Sequence, residues 1–305
     1  MPCLEAIVSA GHEVVGVVTQ PDKPSGRGMQ LSASPVKKAA ERLGLSVLQP
    51  RRVRAESFVA TATDLQPELI AVAAFGQIIP QSILDLPKYG PINVHGSILP
   101  KYRGAAPIQR AIMDGETVTG VTTMWMDATL DTGDMLLIEE TPILLEDTTG
   151  TLFERLSGIG ARLLIETING LRAGTIERKP QNSDAATYAA MIKPEDCLLS
   201  WSMPAAQIRS RIQGLLPKPG AFTVFQGKRL KLHSTAVSEV QTDAAPGTVV
   251  TVSRNLAGLV VAAGQGTSLL LLQVQPDNGK RMSADAWANG LRVKPGDKFD
   301  ADAQI

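Results

Sequence analysis

A chain of 305 residues, 44% hydrophobic and 20% charged, has the length and make-up of two globular domains. Its formal net charge of zero argues against a strongly basic nucleic-acid binder, and no apolar run reaches the length of a membrane span. No signal peptide opens the chain, and Cys3 and Cys197 match no metal-ligand spacing, so the expectation is a cytoplasmic protein with two reduced thiols, no metal and aliphatic cores, since aromatics are only 4%.

The first segment, MPCLEAIVSAG, is helix-like, and the first strand pattern follows at EVVGVVT (13–19). SPVKKAAERLG (34–44) predicts a helix with Ser34 as N-cap, Pro35 at the first helical position and Gly44 as the stop. SVLQP reads as a short strand, ESFVATATDL as a second helix, and ELIAVAAFG (68–76) as a strand apolar on both faces. INVHGS continues as a strand and APIQRAIMDG as a helix. Strands of this kind alternating with helices imply an α/β fold with a mostly parallel, Rossmann-like sheet covered by helices. TGVTTMWMD (119–127) and GDMLLIEETPI (133–143) have no helix between them and predict a hairpin, and 149–172 predicts a long amphipathic helix.

The pattern then changes. Residues 173–187 are polar, with Pro, Gly and Asn, and read as a linker. After a short helix (204–214) come AFTVF, RLKLHSTAV, GTVVTVS, GLVVAAG and SLLLLQVQ, five strand-like runs that suggest a small β-barrel of the OB type. Residues 1–189 hold 17 Lys and Arg against 21 Asp and Glu, a net of −4, whereas 190–305 hold 13 against 9, a net of +4. The basic half is the one suited to a polyanion.

Chemistry concentrates at INVHGS. Successive strand side chains alternate faces, so Asn93 and His95 point the same way at the carboxyl end of a strand, where open α/β sheets bind ligands. By pattern alone a buried core histidine and a turn asparagine fit equally well. A carboxylate would orient the imidazole, and TLDTGDM (129–135) offers both Asp131 and Asp134 beside a Gly turn. Such an amide, imidazole and carboxylate suit attack at a carbonyl by a nucleophile that the substrate brings: two groups hydrogen-bond the oxyanion and the carboxylate helps to move a proton.

NVHGSILPKYRGAAPIQRAI (93–112), LDTGDM (130–135) and TQPDKPSGRG (19–28), with LPKPGAF (216–222) and AAPGT (244–248) more weakly, resemble the folate-dependent formyltransferase family. The similarity runs from residue 3 to near the C-terminus, and QPDKPSGRG with the β-rich extension is similar to the tRNA-acting branch. The resemblance implies a catalytic trio of Asn93, His95 and Asp131, which chooses between the two aspartates. It implies a folate-binding segment at Ser97, Ile98, Leu99 and Pro100, with FGQII (75–79) bordering the same cleft, and tRNA contacts from Arg27 and Lys23 in a mobile basic loop. The implied donor is 10-formyltetrahydrofolate and the implied acceptor the α-amino group of methionine on initiator tRNA, in a monomeric enzyme. The expected domains are 1–176 (formyltransferase), 177–195 (linker) and 196–305 (OB-like barrel, tRNA-binding).

Two departures from the family pattern stand out. The family's apolar strand and GTPxFA-like turn have no counterpart before residue 3, so Met1 is expected to be an internal methionine. Met191, Ser200 and Lys218 stand where a basic residue, Asp and Trp are common. The competing readings are a formyltransferase for an amino-sugar nucleotide, and a folate- or RNA-binding relative without catalysis.

Overall fold

The computed structural model describes residues 1–25, 30–253, 255 and 257–300. The chain packs as two compact units: the first comprises Met1–Pro107, Val118–Pro142 and Phe153–Ala189, the second Ile108–Thr117, Ile143–Leu152 and the chain from Ala190 onward.

The first unit is built on a four-stranded sheet ordered Ile70–Val72, Pro91–His95, Val118–Trp125 and Met135–Pro142. The first pair is parallel and the next two are antiparallel, because the last two strands are joined directly as the predicted hairpin. The sheet is therefore mixed, where a mostly parallel one was expected. A separate parallel ladder joins Val17–Val18 to Val47–Leu48, and no pairing between described residues links it to the larger sheet. Both expected apolar strands are shorter than their patterns: only Val17–Val18 and Ile70–Val72 pair, and Val15 is exposed. Lys23–Ser25 and Gln30–Ser32 form a small antiparallel ladder.

Helices appear where their signals stand. Pro35–Arg42 begins on Ser34, whose hydroxyl accepts from the Lys37 amide at 3.1 Å, with Pro35 at the first position. The long helix Thr149–Ala173 lays Leu164 and Ile168 against Ile92 and Leu136 of the sheet. Gly160 permits the approach, since a Cβ there would come within 2.8 Å of Val94 Cγ1. Ala62, Ile83 and Leu84 form a further core with Phe58, Ile70 and Val72.

Part of the segment read as a linker pairs with this unit. Lys179 exchanges both backbone hydrogen bonds with Met135, at 2.8 and 2.9 Å, and Ala189 pairs with Arg103 and Ala106.

The second unit contains all five predicted strands, in a sheet ordered Val249–Ser253, Gly258–Ala262, Ser268–Pro276, Lys228–Ser238 and Phe222–Phe225, with Met282–Ser283 added beside Ser268–Pro276. Residues 296–300 bridge the two edge strands: Gly296 N donates to Val249 O and Asp300 N to Val224 O, each at 2.9 Å. The closed arrangement agrees with a barrel. The helix Ala284–Leu291 was not foreseen. The core here is not purely aliphatic, because Trp201, Phe222, Phe225, Trp287 and Phe299 are all buried in it, and the Phe299 ring contacts those of Trp201, Phe225 and Trp287. Five of the nine Trp and Phe residues are gathered in this one place, which overall composition cannot reveal.

Candidate active site

Asn93 and His95 lie on Pro91–His95, in register with Met124 and Thr122 of the neighbouring strand. Two-residue spacing puts both on one face. The turn after the first hairpin strand brings Asp131 to them: Asn93 Nδ2 donates to Asp131 Oδ1 at 3.3 Å, and His95 Nδ1 stands 3.7 Å from Asp131 Oδ2. The other aspartate is engaged elsewhere. Asp134 Oδ2 accepts from Arg178 Nε at 2.9 Å, and that guanidinium lies 4.2 Å from the Trp125 ring centre.

The tautomer of His95 follows from its second contact. Its Nε2 is 2.9 Å from the carbonyl of Tyr102, which can only accept, so Nε2 carries hydrogen. Nδ1 is then the nitrogen without that anchor, and it faces the carboxylate. Gly104 N donates to Asp131 Oδ2 at 2.9 Å. The loop 101–104 thus touches the imidazole through the Tyr102 carbonyl and the carboxylate through the Gly104 amide.

Asp131 is held in a left-handed conformation (φ +53°), which a non-glycine residue adopts at a cost of about 1–2 kcal/mol. Several bonds fix it. Gln181 Nε2 donates to the backbone carbonyls of Asp131 and Gly133, at 2.9 and 2.7 Å. The Asp127 carboxylate accepts from Thr129 N and from the Thr129 and Thr132 hydroxyls. Residue 133 must be glycine, since a Cβ would fall 1.8 Å from the Trp125 carbonyl.

The four residues expected to bind folate divide into two kinds. Ser97 and Leu99 are buried and serve the loop itself: the Ser97 hydroxyl donates to Lys101 O at 2.6 Å, and Thr122 Oγ1 accepts from Leu99 N and donates to Ser97 O. Ile98 and Pro100 are half-exposed and leave their side chains available to a ligand. At 75–79, Ile78 is exposed and Phe75 O accepts from Gln20 Nε2 at 3.1 Å.

Lys23 is exposed and donates to Gln20 Oε1 at 2.7 Å. Arg27 lies outside the described residues. The base of this loop is a polar cluster: Lys37 Nζ donates to Asp22 Oδ2 at 2.7 Å and to Gln49 Oε1 at 2.9 Å, and Gln49 Nε2 donates to Asp22 Oδ1 at 2.8 Å. The Lys37 hydrogen bond holds the Asp22 carboxyl below the usual carboxylate range. Of the other histidines, His233 accepts from Arg281 at Nδ1 and donates from Nε2 to Gln275; burial pushes its pKa down.

Sequence reasoning missed Tyr102, Gly104, Arg103 and Gln181. Arg103 is buried, and its Nε donates to Gln181 Oε1 at 3.0 Å. Only the Gly after a basic residue in KYRGAAP hinted that backbone would approach closely there, whereas Gln181 carried no signal. No cluster of His, Cys, Asp and Glu suited to a metal occurs among the described residues.

Residues 3–168 match the family model described as formyl transferase, and residues 191–292 match the one described as formyl transferase, C-terminal domain. The chain belongs to the formyl transferase family. This formyl transferase is 47% identical over 297 residues to the methionyl-tRNA formyltransferase of Moorella thermoacetica, covering 97% of the chain and 94% of the relative. It is 47% identical over 299 residues to that of Solibacter usitatus, covering 98% and 94%. Among solved structures, the sugar 3N-formyl transferase WlaRD shares its fold, with a TM-score of 0.65 and 16% identity over 92% of the chain and 94% of the neighbour. No helix among the described residues is long and apolar enough to cross a membrane.

Proposed function

We propose that this chain is a methionyl-tRNA formyltransferase, moving a formyl group from 10-formyltetrahydrofolate to the α-amino group of methionyl initiator tRNA. The convergence of Asn93, His95 and Asp131 at one strand end carries the reading, and 47% identity along nearly the whole chain supports this acceptor over an amino-sugar nucleotide, whose enzymes match at 16–22%.

The neutral amine attacks the formyl carbon, forming a C–N bond and a tetrahedral oxyanion. Asn93 Nδ2–H and protonated Nδ1 of His95 donate to that oxyanion, while Asp131 takes the proton that the amine sheds. Collapse breaks the bond to N10, which receives the proton and leaves as tetrahydrofolate. Placing two bound substrates in contact supplies much of the acceleration. Ile98 and Pro100 would border the folate, with Ser97 and Leu99 shaping the turn that presents them. Lys23 and Arg27 would meet tRNA phosphates. In this reading 1–176 carries catalysis, 177–195 connects, and 196–305, with its basic excess, binds tRNA; the enzyme acts as a cytoplasmic monomer.

Incubation with radiolabelled 10-formyltetrahydrofolate, charged initiator tRNA and an amino-sugar nucleotide tests the assignment. Label is expected on the methionyl-tRNA alone. Label on the sugar, or on neither acceptor, would overturn it.

A further inference from the structure

We propose that Gln181, fixed in orientation by Arg103, positions the Asp131 carboxylate and thereby sets the rate of formyl transfer without touching either substrate. The inference rests on the role given to Asp131 above.

The argument begins with an amide that has one possible orientation. A guanidinium only donates, so the Gln181 oxygen must face Arg103 Nε, and the NH₂ must face the other way. There it meets the carbonyls of Asp131 and Gly133, and both of its hydrogens are used. Two carbonyl oxygens two residues apart converge on one nitrogen, which braces the left-handed backbone of Asp131 from outside the turn. A residue in that conformation persists only where its surroundings over-determine it.

Arg103 is bound into the same structure along its main chain. Its amide donates to Thr187 O at 2.9 Å and its carbonyl accepts from Ala189 N at 2.7 Å. Its neighbours are Tyr102, whose carbonyl holds His95, and Gly104, whose amide holds Asp131. One side chain contact, Arg103 to Gln181, therefore closes a loop of bonds that includes both the imidazole and the carboxylate.

The arrangement is not one that stability alone would select. Arg103 is only 3% exposed, and its Nη2 is buried with no hydrogen-bond partner. Burying a guanidinium that is incompletely bonded is unfavourable. An apolar pair of similar size would fill the space without that penalty. A strained, polar device beside a reactive centre is the pattern expected where geometry is held for chemistry.

Four variants test this: Gln181→Leu, Gln181→Glu, Arg103→Met and the double Arg103→Met/Gln181→Leu. Steady-state kinetics would be read beside hydrogen exchange of the Gly104 amide, followed by NMR on deuterated, ¹⁵N-labelled protein. Each variant is expected to lose about 10–100-fold in kcat, with KM for both substrates within about twofold of the parent. Gly104 exchange should speed by about tenfold or more as its acceptor moves, while the amides of residues 92–95 keep their protection. Gln181→Glu keeps the shape yet sets a carboxylate oxygen against two carbonyls, so it should be as impaired as the leucine.

The double variant separates positioning from mere packing. It removes the buried guanidinium together with the half-buried amide that faces it, so it should fold at least as well as Gln181→Leu, in which Arg103 Nε loses its acceptor. Its kcat should stay low, because the bracing amide is gone. Recovery of kcat to the parent level in the double variant would overturn the proposal, as would Gly104 exchange within twofold of the parent in Gln181→Leu. Equal transfer rates in the parent and Asp131→Ala would instead refute the role of Asp131, and Gly104 exchange would still decide the positioning claim.

Discussion

Nδ1 of His95 stands 3.7 Å from Oδ2 of Asp131, while the opposite ring nitrogen is committed to the Tyr102 carbonyl. The distance is too long for a hydrogen bond, yet a small movement closes it. The imidazole thus has one edge anchored on the loop and the other facing the carboxylate.

Removing either partner should therefore stop catalysis while leaving the fold. His95→Ala and Asp131→Ala are each expected to lower kcat by about 10²–10³. Circular dichroism and thermal melting, run in parallel, should report a folded protein. Turnover within a few-fold of the parent in either variant would exclude that residue from the chemistry.

Gly104 has φ +121°, and a Cβ there would sit 2.8 Å from the backbone carbonyl of Ala189. Gly104→Ala must shift either the site loop or the segment at Ala189, and its amide then leaves Asp131. Stability is expected to fall by about 1–3 kcal/mol, read from urea midpoints. Turnover should fall at least tenfold at temperatures where the variant is folded. A fully active variant would mean that the loop adapts without moving the carboxylate.

In the second unit, Arg110 grips Asp196 through two parallel hydrogen bonds, at 3.1 and 2.8 Å, and the Lys193 amide adds a third. The Arg110 bonds, foremost, hold the Asp196 carboxyl below its usual range against an opposing effect of desolvation. A depressed folded-state value means that the ionised form is the stabilising one. The contribution is complete above the unfolded value of about 3.9 and fades as pH falls through the lower, folded one. Asp196→Asn is expected to lower stability by about 1.5–3 kcal/mol at neutral pH. The gap from the parent should narrow only as pH drops below about 4; a gap constant down to pH 2.5 would contradict the linkage.

The cluster of Asp22, Lys37 and Gln49 anchors the segment that carries Lys23. Lys37→Met should loosen the base of the loop and raise KM for charged tRNA several-fold, with KM for the formyl donor unchanged. Lys23→Ala should weaken tRNA binding and reduce its log–log salt slope by about 0.7–0.9. Equal rises in both KM values would mean that the cluster supports the folate cleft instead.

Much of this was legible in advance because its causes are local. The cap at Ser34 and the stop at Gly44 depend on neighbouring backbone groups, so SPVKKAAERLG specified its own helix. The strand period alone put Asn93 and His95 on one face. The hairpin that returns Asp131 followed from two apolar runs without a helix between them. Even so, Ala71 is exposed and only three residues of ELIAVAAFG pair, because strand pairing depends on a neighbour that a local pattern does not contain.

What composition, periodicity and motif determined by themselves was the class of fold, the order of most of its elements and Asn93 and His95 as neighbours on one strand face, with resemblance to a family choosing Asp131 over Asp134. Only the tertiary structure decided which nitrogen of His95 is free, that Asp134 belongs to Arg178, and that a polar stretch 50 residues downstream supplies the amide bracing Asp131. The physical reason is range. Capping and alternation act between residues close in the chain and leave a readable mark. A hydrogen bond between Gln181 and a carbonyl at position 131 exists only once the hairpin, the long helix and that polar stretch have folded back on one another.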